Sequence, residues 1–335
     1  MPSNRARGCR RPVLAGLLLW LMQATTLSAA ELTPLKVGIS EQVNTVLAIW
    51  MADAAGFYAA NGLQVEIINM NGGSRGTAEL AAGRIDAMHV GLSSVARLNR
   101  DGSDLRIVAA LANVIRFTFF SAPGVTTAAS LKGGTVGVST FGSESDATVT
   151  LALQRLGLTR NDVTLKEYGG GGRRLAALKS GEIQATAVNE PTASIAREQG
   201  VHVLFDLVPE RIPWLFTGIA VRREMIEKRR DVLTRFLKAT AEGNALAISD
   251  SKRARDVLAR QTNTNDAKIL DITYNDFTQL SPPTIEPTSA AAANILAQFP
   301  AGGSTNVADY VDTGVLDELK RQGFFQALEQ KYGKR

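Results

Sequence analysis

Short apolar runs alternate with longer segments of mixed polarity along the first two thirds of the sequence. The apolar runs predict strands and the segments between them predict helices, two of which stop at Gly62 and Gly83. The predicted strands are residues 35–39, 65–69, 87–90, 135–138, 163–166 and 185–188, and the predicted helices are residues 46–61, 75–82, 146–156 and 173–179. Because this alternation is typical of βαβ units, it predicts an α/β fold built on a parallel sheet.

The two halves of this pattern are similar in sequence as well as in order. Matching segments recur about 100 residues apart, and they are VGIS at 37–40 and VGVS at 136–139, GGSR at 72–75 and GGGR at 170–173, LAAGRIDA at 80–87 and LKSGEIQA at 178–185, and GL at 62–63 and 157–158. Two long copies indicate a duplicated βαβ unit, since a solenoid would repeat a shorter period more often. Beyond about residue 216 the sequence predicts mostly helices, at residues 224–247, 290–299 and 315–332.

Small polar residues follow the predicted strands in both copies. The groups are residues 40–44, 72–74 and 91–94 in the first copy, and residues 139–143, 169–172 and 189–191 in the second. The carboxyl ends of parallel strands share one edge of a sheet, and each group precedes a helix with free N–H groups. Any single group could simply cap its helix. All six together predict a ligand cleft shared by the two copies.

Composition excludes several classes of protein. The 335 residues are 45% hydrophobic and 21% charged, which is typical of a globular protein and not of a disordered, fibrous or polytopic membrane chain. One cysteine and two histidines argue against a disulfide framework or a Cys- or His-rich metal site. The sequence also lacks a P-loop and a Gly-x-Ser-x-Gly elbow. We therefore expect a protein that binds no cofactor and is not an enzyme.

The first thirty residues have the order of a secretory signal peptide. A stretch with four arginines precedes a short apolar run, and Ser28-Ala29-Ala30 provides a small-residue cleavage site. Cleavage after Ala30 would remove most of the formal net charge of +5, so the basic character gives no reason to expect nucleic-acid binding. The only cysteine, Cys9, lies in this segment. We expect an exported, cysteine-free mature chain.

Several motifs together resemble one family. They are AAGFYAANGL at 54–63, the Gly-Gly-Ser at 72–74, LAAGRID at 80–86, LKGGTVGV at 131–138 and Asn-Glu-Pro at 189–191. From about residue 34 onward the chain resembles the nitrate/sulfonate/taurine-type periplasmic substrate-binding proteins of ABC transporters, a family that also holds binders of thiamine precursors.

The resemblance implies a two-lobe, type II periplasmic-binding-protein-like fold that closes on its ligand around a hinge of two crossing strands. Lobe one would comprise residues 34–114 plus 216–335, and lobe two would comprise residues 115–215. The crossings would lie at residues 115–120 and around Trp214.

The same resemblance implies which residues face the cleft. They are Ser40, Gly73, Ser74, Ser93 and Ser94 from lobe one, with Asn44 as a weaker candidate that could only cap a helix, and Ser139, Thr140, Gly142, Ser143 and Asn189 from lobe two.

Arginines and one tryptophan are further candidates. Arg75, Arg116 and Arg173 could pair with an anionic ligand, although Arg75 and Arg173 open helices and could equally reach solvent. Trp214 could stack on a ligand or belong to the core. Glu190 would repel an anion and fits the start of a helix better than a contact to an ammonium group.

The sequence thus predicts a monomeric periplasmic solute receptor that delivers a small molecule to an ABC permease and its ATPase. The serine and glycine donors favour an anionic, sulfonate- or nitrate-like solute. Phe117, Phe119 and Trp214 keep open an aromatic acid or a heterocycle such as a thiamine precursor. A sensor or an enzyme on the same scaffold is the alternative from another class.

Overall fold

Two five-stranded sheets, each flanked by helices, form the framework of the computed structural model, which describes residues 31–298 and 303–333. The strands are β1 (Thr33–Ile39), β2 (Leu63–Asn69), β3 (Ala87–Val90), β4 (Leu105–Val114), β5 (Thr118–Ser121), β6 (Thr135–Val138), β7 (Thr164–Glu167), β8 (Ala185–Val188), β9 (His202–Asp206) and β10 (Pro213–Arg222). The signal peptide predicted at residues 1–30 lies outside the described residues.

The helices connect these strands and continue beyond the last of them. They are α1 (Leu47–Ala54), α2 (Phe57–Ala60), α3 (Gly73–Ala81), α4 (Leu92–Arg100), α5 (Ala128–Leu131), α6 (Glu144–Arg155), α7 (Gly171–Lys179), α8 (Thr192–Glu198), α9 (Arg223–Lys228), α10 (Arg230–Ser249), α11 (Ser251–Thr262), α12 (Ala267–Leu280), α13 (Ser289–Gln298), α14 (Gly314–Arg321) and α15 (Phe324–Tyr332).

The duplication predicted from the sequence is visible in the order of the strands. The first sheet has the order β2-β1-β3-β10-β4 and the second has the order β7-β6-β8-β5-β9. In each sheet three strands are parallel, β1 with β2 and β3, and β6 with β7 and β8. The two sheets therefore repeat one βαβ arrangement, which confirms the α/β, two-lobe fold class.

The sheets are mixed and not parallel throughout, because each contains one strand that runs opposite to the other four. Strand β10 runs antiparallel to β3 and β4, and β5 runs antiparallel to β8 and β9. The direction follows from the chain path: β4 leaves the first sheet towards the second, and β10 returns from the second to the first.

Two short connections join the sheets and lie side by side. One lies between Val114 and Thr118, and the other lies between Asp206 and Pro213. The backbone N–H of Ile115 donates to the carbonyl of Ile212 at 3.2 Å. A pair of short, hydrogen-bonded connections is a suitable hinge between two lobes.

Three long predicted helices are each interrupted. The helix predicted at 46–61 ends at Ala54 and restarts at Phe57, because Gly56 between them has φ 74°. Gly323, with φ 77°, likewise separates α14 from α15 within residues 315–332. Left-handed glycines end helices in this way. The helix predicted at 224–247 is divided into α9 and α10 at Arg229.

The apolar core continues through the hinge. One cluster joins Val90 and Val95 of the first lobe to Phe117 and Trp214 near the connections and to Val138 of the second lobe. A separate cluster packs α1 and α10 on the other face of the first sheet. The core therefore supports the loops that face the gap between the lobes.

Candidate functional site

A cavity lies between the two sheets, at the carboxyl ends of their parallel strands. The space between its walls, counted together with the open solvent at its mouth, is about 410 Å³. Its lining residues are Ser40, Glu41, Val43, Gly73, His89, Val90, Gly91, Ser94, Phe117, Ser139, Ser143, Glu144, Ser145, Asn189, Phe216 and Thr217.

Six of the candidate site residues predicted from the sequence line this cavity. They are Ser40, Gly73, Ser94, Ser139, Ser143 and Asn189. Four others lie at or next to its edges, and these are Ser74, Ser93, Thr140 and Gly142. The remaining three, Asn44, Arg116 and Trp214, are buried behind the lining. The structure thus brings the predicted loops together, while the contact of each residue with a ligand stays a prediction.

Three serines after β6 form a hydrogen-bonded cluster. The hydroxyl oxygens of Ser139, Ser143 and Ser145 lie 2.9–3.0 Å from one another. The backbone N–H of Ser139 also donates to Ser145 Oγ at 2.7 Å. Because the three hydroxyls bond to each other, the cluster offers a solute mainly oxygen lone pairs as long as it stays intact.

Glu144 begins α6 and reaches across the gap to the first lobe. Its Oε1 accepts a hydrogen bond from the backbone N–H of Ser93 at 2.7 Å, and its Oε2 accepts one from Trp214 Nε1 at 2.6 Å. Its side chain also fills the space next to Gly91, where a Cβ atom would collide with it. Burial raises the pKa of Glu144 to about 7, although both hydrogen bonds favour the ionised form.

One edge of the cavity is closed by uncharged groups. Ser74 Oγ donates to the carbonyl of Phe141 at 2.8 Å, and the Ser74 backbone N–H donates to Thr140 Oγ1 at 3.3 Å. The exposed Arg97 binds the same Phe141 carbonyl. We call the contacts of Ser74 with Thr140 and Phe141 the neutral rim.

The opposite edge is closed by an ion pair. Glu41, in the loop after β1, accepts from the Gly171 backbone N–H at 2.9 Å and from Arg174 Nη2 at 3.2 Å. Arg174 is fully buried, and burial lowers its pKa while Glu41 opposes that change. We call the contacts of Glu41 with Gly171 and Arg174 the ionic rim. With both rims formed, the cleft is closed.

The arginines proposed from the sequence are paired or exposed. Arg116 is buried, and its Nε donates to Asp276 Oδ2 at 3.0 Å, while Asn44 Nδ2 donates to the same oxygen at 2.7 Å. Arg75 and Arg173 are exposed. Arg116 and Asn44 therefore join the loop after β1 and the hinge to helix α12, and their proposed contact with a solute lacks support from the geometry.

Trp214 is fully buried and takes the core position that the sequence left open. Its ring nitrogen holds Glu144, so it acts on the cavity through that carboxylate. Phe117 and Phe216 line the cavity directly, with ring centroids 5.0 Å apart and an interplanar angle of 82°. Glu190 lies in a helix start as expected, and its carboxylate accepts from the Ser194 backbone N–H and pairs with Arg197.

Sequence reasoning missed Glu41, Glu144, Arg174 and Thr217. Glu144 lies two residues before the helix predicted at 146–156, whereas the structure places it in the first turn of α6, where the helix dipole stabilises an acid. Arg174 adjoins Arg173, the residue chosen from the sequence, and only the helix rotation separates the buried position from the exposed one. A stronger signal was the glycine at position 91, since a residue without a side chain beside a polar loop indicates a close approach.

The described residues form neither a cluster of metal ligands nor a membrane-spanning helix. Within residues 31–298 and 303–333, no group of three or more His, Cys, Asp or Glu side chains is arranged to hold a metal ion. No helix among these residues is long and apolar enough to cross a membrane.

Comparisons with known proteins agree with this architecture. The family model described as NMT1/THI5 like matches residues 44–254, more than half of the chain. The riboflavin-binding protein RibY of Chloroflexus aurantiacus is 27% identical over 217 residues, which cover 62% of this chain and 60% of that protein. The chain thus spans less than two thirds of the length of this relative.

Solved structures show the same fold at low sequence identity. A protein of Bordetella bronchiseptica superposes with a TM-score of 0.76 at 18% identity, covering 91% of this chain and 99% of that one. The alkanesulfonate-binding protein SsuA of Xanthomonas axonopodis pv. citri, bound to MOPS, gives 0.69 at 18% identity, covering 84% and 99%. With its matching family model and its two-lobe α/β fold, the chain belongs to the NMT1/THI5-like family.

Proposed function

We propose that this protein is a periplasmic solute receptor that binds a small molecule between its lobes and presents it to an ABC importer. The observation that carries the proposal is a cavity built by both lobes and closed at two edges by contacts between them. The names of the relatives support it, since RibY is a riboflavin-binding protein and SsuA an alkanesulfonate-binding protein.

The lobes in this proposal are residues 34–114 with 216–335, and residues 115–215. Opening about the two connections would break both rims, and a bound solute would favour the closed form because it contacts both lobes. The permease and its ATPase would recognise the closed arrangement of a monomeric receptor. Export by the signal peptide, with cleavage after Ala30, is part of the same proposal.

The cavity chemistry supports a receptor better than an enzyme. The Ser139, Ser143 and Ser145 hydroxyls bond to one another, whereas His89 Nε2 lies 3.2 Å from Thr45 Oγ1. Burial lowers the pKa of His89 to about 4. A serine nucleophile would need a hydrogen-bonded base, and among the described residues these three hydroxyls bond only to serine groups.

A thermal unfolding screen of residues 31–335 tests this function. The panel contains nitrate, taurine, alkanesulfonates, aromatic acids, pyrimidines, riboflavin, amines and amidines. A compound at 100 times its dissociation constant stabilises the folded protein by about 2.7 kcal/mol. We expect at least one class to raise the unfolding midpoint by several degrees.

Two variants locate the binding. Ser40→Phe places a large ring on the half-buried cavity wall and should abolish the shift for a solute of any charge. Thr126→Phe, in an exposed loop, should retain it. A shift that persists in Ser40→Phe places the ligand elsewhere, and a panel without any shift contradicts the receptor.

A further inference from the structure

Glu144 differs from the other acids around the cleft because it has no cationic partner among the described residues. Glu41 pairs with Arg174, Glu190 with Arg197 and Asp276 with Arg116, as given by the ion pairs of the structure. Glu144 accepts only from two uncharged donors, Ser93 N–H and Trp214 Nε1. It is 8% exposed and lines the cavity. An ionised carboxylate there has an unmatched negative charge.

The remaining lining does not compensate this charge. None of the sixteen described residues that surround the cavity is a lysine or an arginine. His89 has the only titratable nitrogen in that set, and burial lowers its pKa to about 4, so it is neutral near pH 7. Arg97 is exposed at the neutral rim, where it binds the Phe141 carbonyl.

Glu144 also occupies a place that favours an anion. Helix α4 begins at Leu92, and the backbone N–H of Ser93 in its first turn donates to Glu144 Oε1. The N-terminus of a helix is a favourable position for a solute anion. Because the carboxylate lies there and fills the space beside Gly91, an incoming anion would have to displace it or bind next to a like charge.

A cation would be attracted to the same carboxylate. A carboxylate has about four lone-pair positions, and the structure uses two of them. The serine cluster adjoins Glu144 and offers further oxygen lone pairs, and Thr217 Oγ1 is buried without a hydrogen-bond partner among the described residues. Phe117 and Phe216 provide an apolar wall beside these acceptors.

We propose that the solute of this cleft is an organic cation whose protonated nitrogen donates hydrogen bonds to Glu144. The inference rests on the proposed receptor function and narrows its substrate class. The sequence led us to expect an anionic solute, because the six polar loops offer hydrogen-bond donors. That expectation did not include Glu144, whose carboxylate occupies a donor of one of these loops, the Ser93 N–H.

Three compounds of nearly equal shape test the charge directly: benzamidine as the cation, benzamide as the neutral form and benzoate as the anion. Calorimetric titration at pH 8 should give the tightest binding for benzamidine and the weakest for benzoate. Glu144→Gln removes the charge and keeps one acceptor oxygen, which can accept from either Ser93 or Trp214. It should weaken benzamidine at least tenfold without weakening benzoate. Glu242→Gln, which alters an acid paired with Lys331 outside the cavity lining, should change neither.

The pH dependence gives a second readout. Benzamidine binding should weaken as the pH falls from 8 to 6, because Glu144 gains a proton in this range, and Glu144→Gln should remove the dependence. The charged groups around Glu144 are Glu41, held by Arg174, Asp146, held by Arg160, and Arg97 on α4, and none of these is changed in the variant.

The outcomes separate the two proposals. Benzoate or benzamide binding as tightly as benzamidine overturns the cationic class, and so does a benzamidine affinity that is unchanged in Glu144→Gln. If nitrate or sulfonates bind and benzamidine does not, the receptor function stands and the cationic class is rejected. If neither this series nor any compound of the thermal panel binds, both proposals fail.

Discussion

The loops after β1 and β6 are equivalent in the duplicated fold, yet their chemistry differs. Each crosses the cleft to bind a helix N-terminus of the other lobe. Glu41 accepts from the Gly171 N–H at the start of α7, and Thr140 accepts from the Ser74 N–H in the first turn of α3. The first contact includes a buried arginine, whereas the second is a weak bond between uncharged groups. Duplication thus supplied two similar rims, and side-chain substitution made one of them ionic.

The acids of the two loops differ in the same way. Glu41 has Arg174 as its partner, while Glu144 has only backbone and indole donors among the described residues. In our proposal, the first loop uses its acid to hold the lobes together and the second loop presents its acid to the solute. The following predictions test this division, beginning with the largest effect.

Glu41→Ala should have the largest effect on closure. It leaves the fully buried Arg174 without its partner in the closed form, whereas water can reach Arg174 when the cleft opens. Removing one partner of a buried pair costs about 3 kcal/mol or more, so the affinity for the solute should fall about 100-fold. Calorimetric titration measures this change. Glu242→Ala is the matched control, and equal affinities in both variants would show that the ionic rim does not hold the cleft closed.

Glu144→Gln should alter how stability depends on pH. The folded pKa of about 7 lies above the unfolded value, so the folded protein binds more protons than the unfolded chain between about pH 4.3 and 7. The contribution of Glu144 to the free energy of unfolding therefore falls as the pH rises through this window. Between pH 4.3 and 8 the wild type should lose on the order of 3 kcal/mol relative to Glu144→Gln.

Urea unfolding of both proteins at several pH values measures that difference. His89, whose pKa is lowered to about 4, has the opposite dependence, because its contribution is lost as the pH falls below about 6.5. It is present in both proteins, so its effect cancels in the comparison. Parallel curves for the two proteins would contradict the raised pKa of Glu144.

Thr140→Val should have the smallest effect of the three. It removes the acceptor of the Ser74 N–H from the neutral rim and keeps the shape of the side chain. A hydrogen bond between uncharged groups contributes about 1 kcal/mol, so the solute affinity should fall about fivefold. Thr126→Val, in an exposed loop, is the control. A loss as large as that of Glu41→Ala would remove the distinction between the two rims.

Much of the fold could be predicted from local sequence. The strands at residues 87–90, 135–138 and 185–188 have the predicted bounds, because each is a short apolar run between polar or glycine-containing segments. The interruption at Gly56 was missed, since one glycine inside an otherwise helical pattern has no fixed consequence until its φ is known. The antiparallel strands depend on the path between the lobes, which no local pattern encodes.

The candidate site, like the fold, could be predicted only in part. The sequence predicted that polar loops would gather at one edge of each sheet, and Ser40, Gly73, Ser139 and Asn189 line one cavity. It did not predict that Glu144 would cross the cleft, because this depends on long-range packing against Gly91 and Trp214. The pairing of an acid with an arginine likewise depends on tertiary contacts between residues that lie far apart in the sequence.

The distance between the lobes tests the central claim most directly. The only cysteine is Cys9, so residues 31–335 can carry spin labels at two introduced cysteines. Gln64→Cys on β2 and Lys166→Cys on β7 place the labels on exposed positions of equivalent edge strands. Double electron–electron resonance should show a broad distribution without solute and a single shorter distance with a compound that raises the unfolding midpoint. The same distribution with and without that compound would contradict a cleft that closes on its solute.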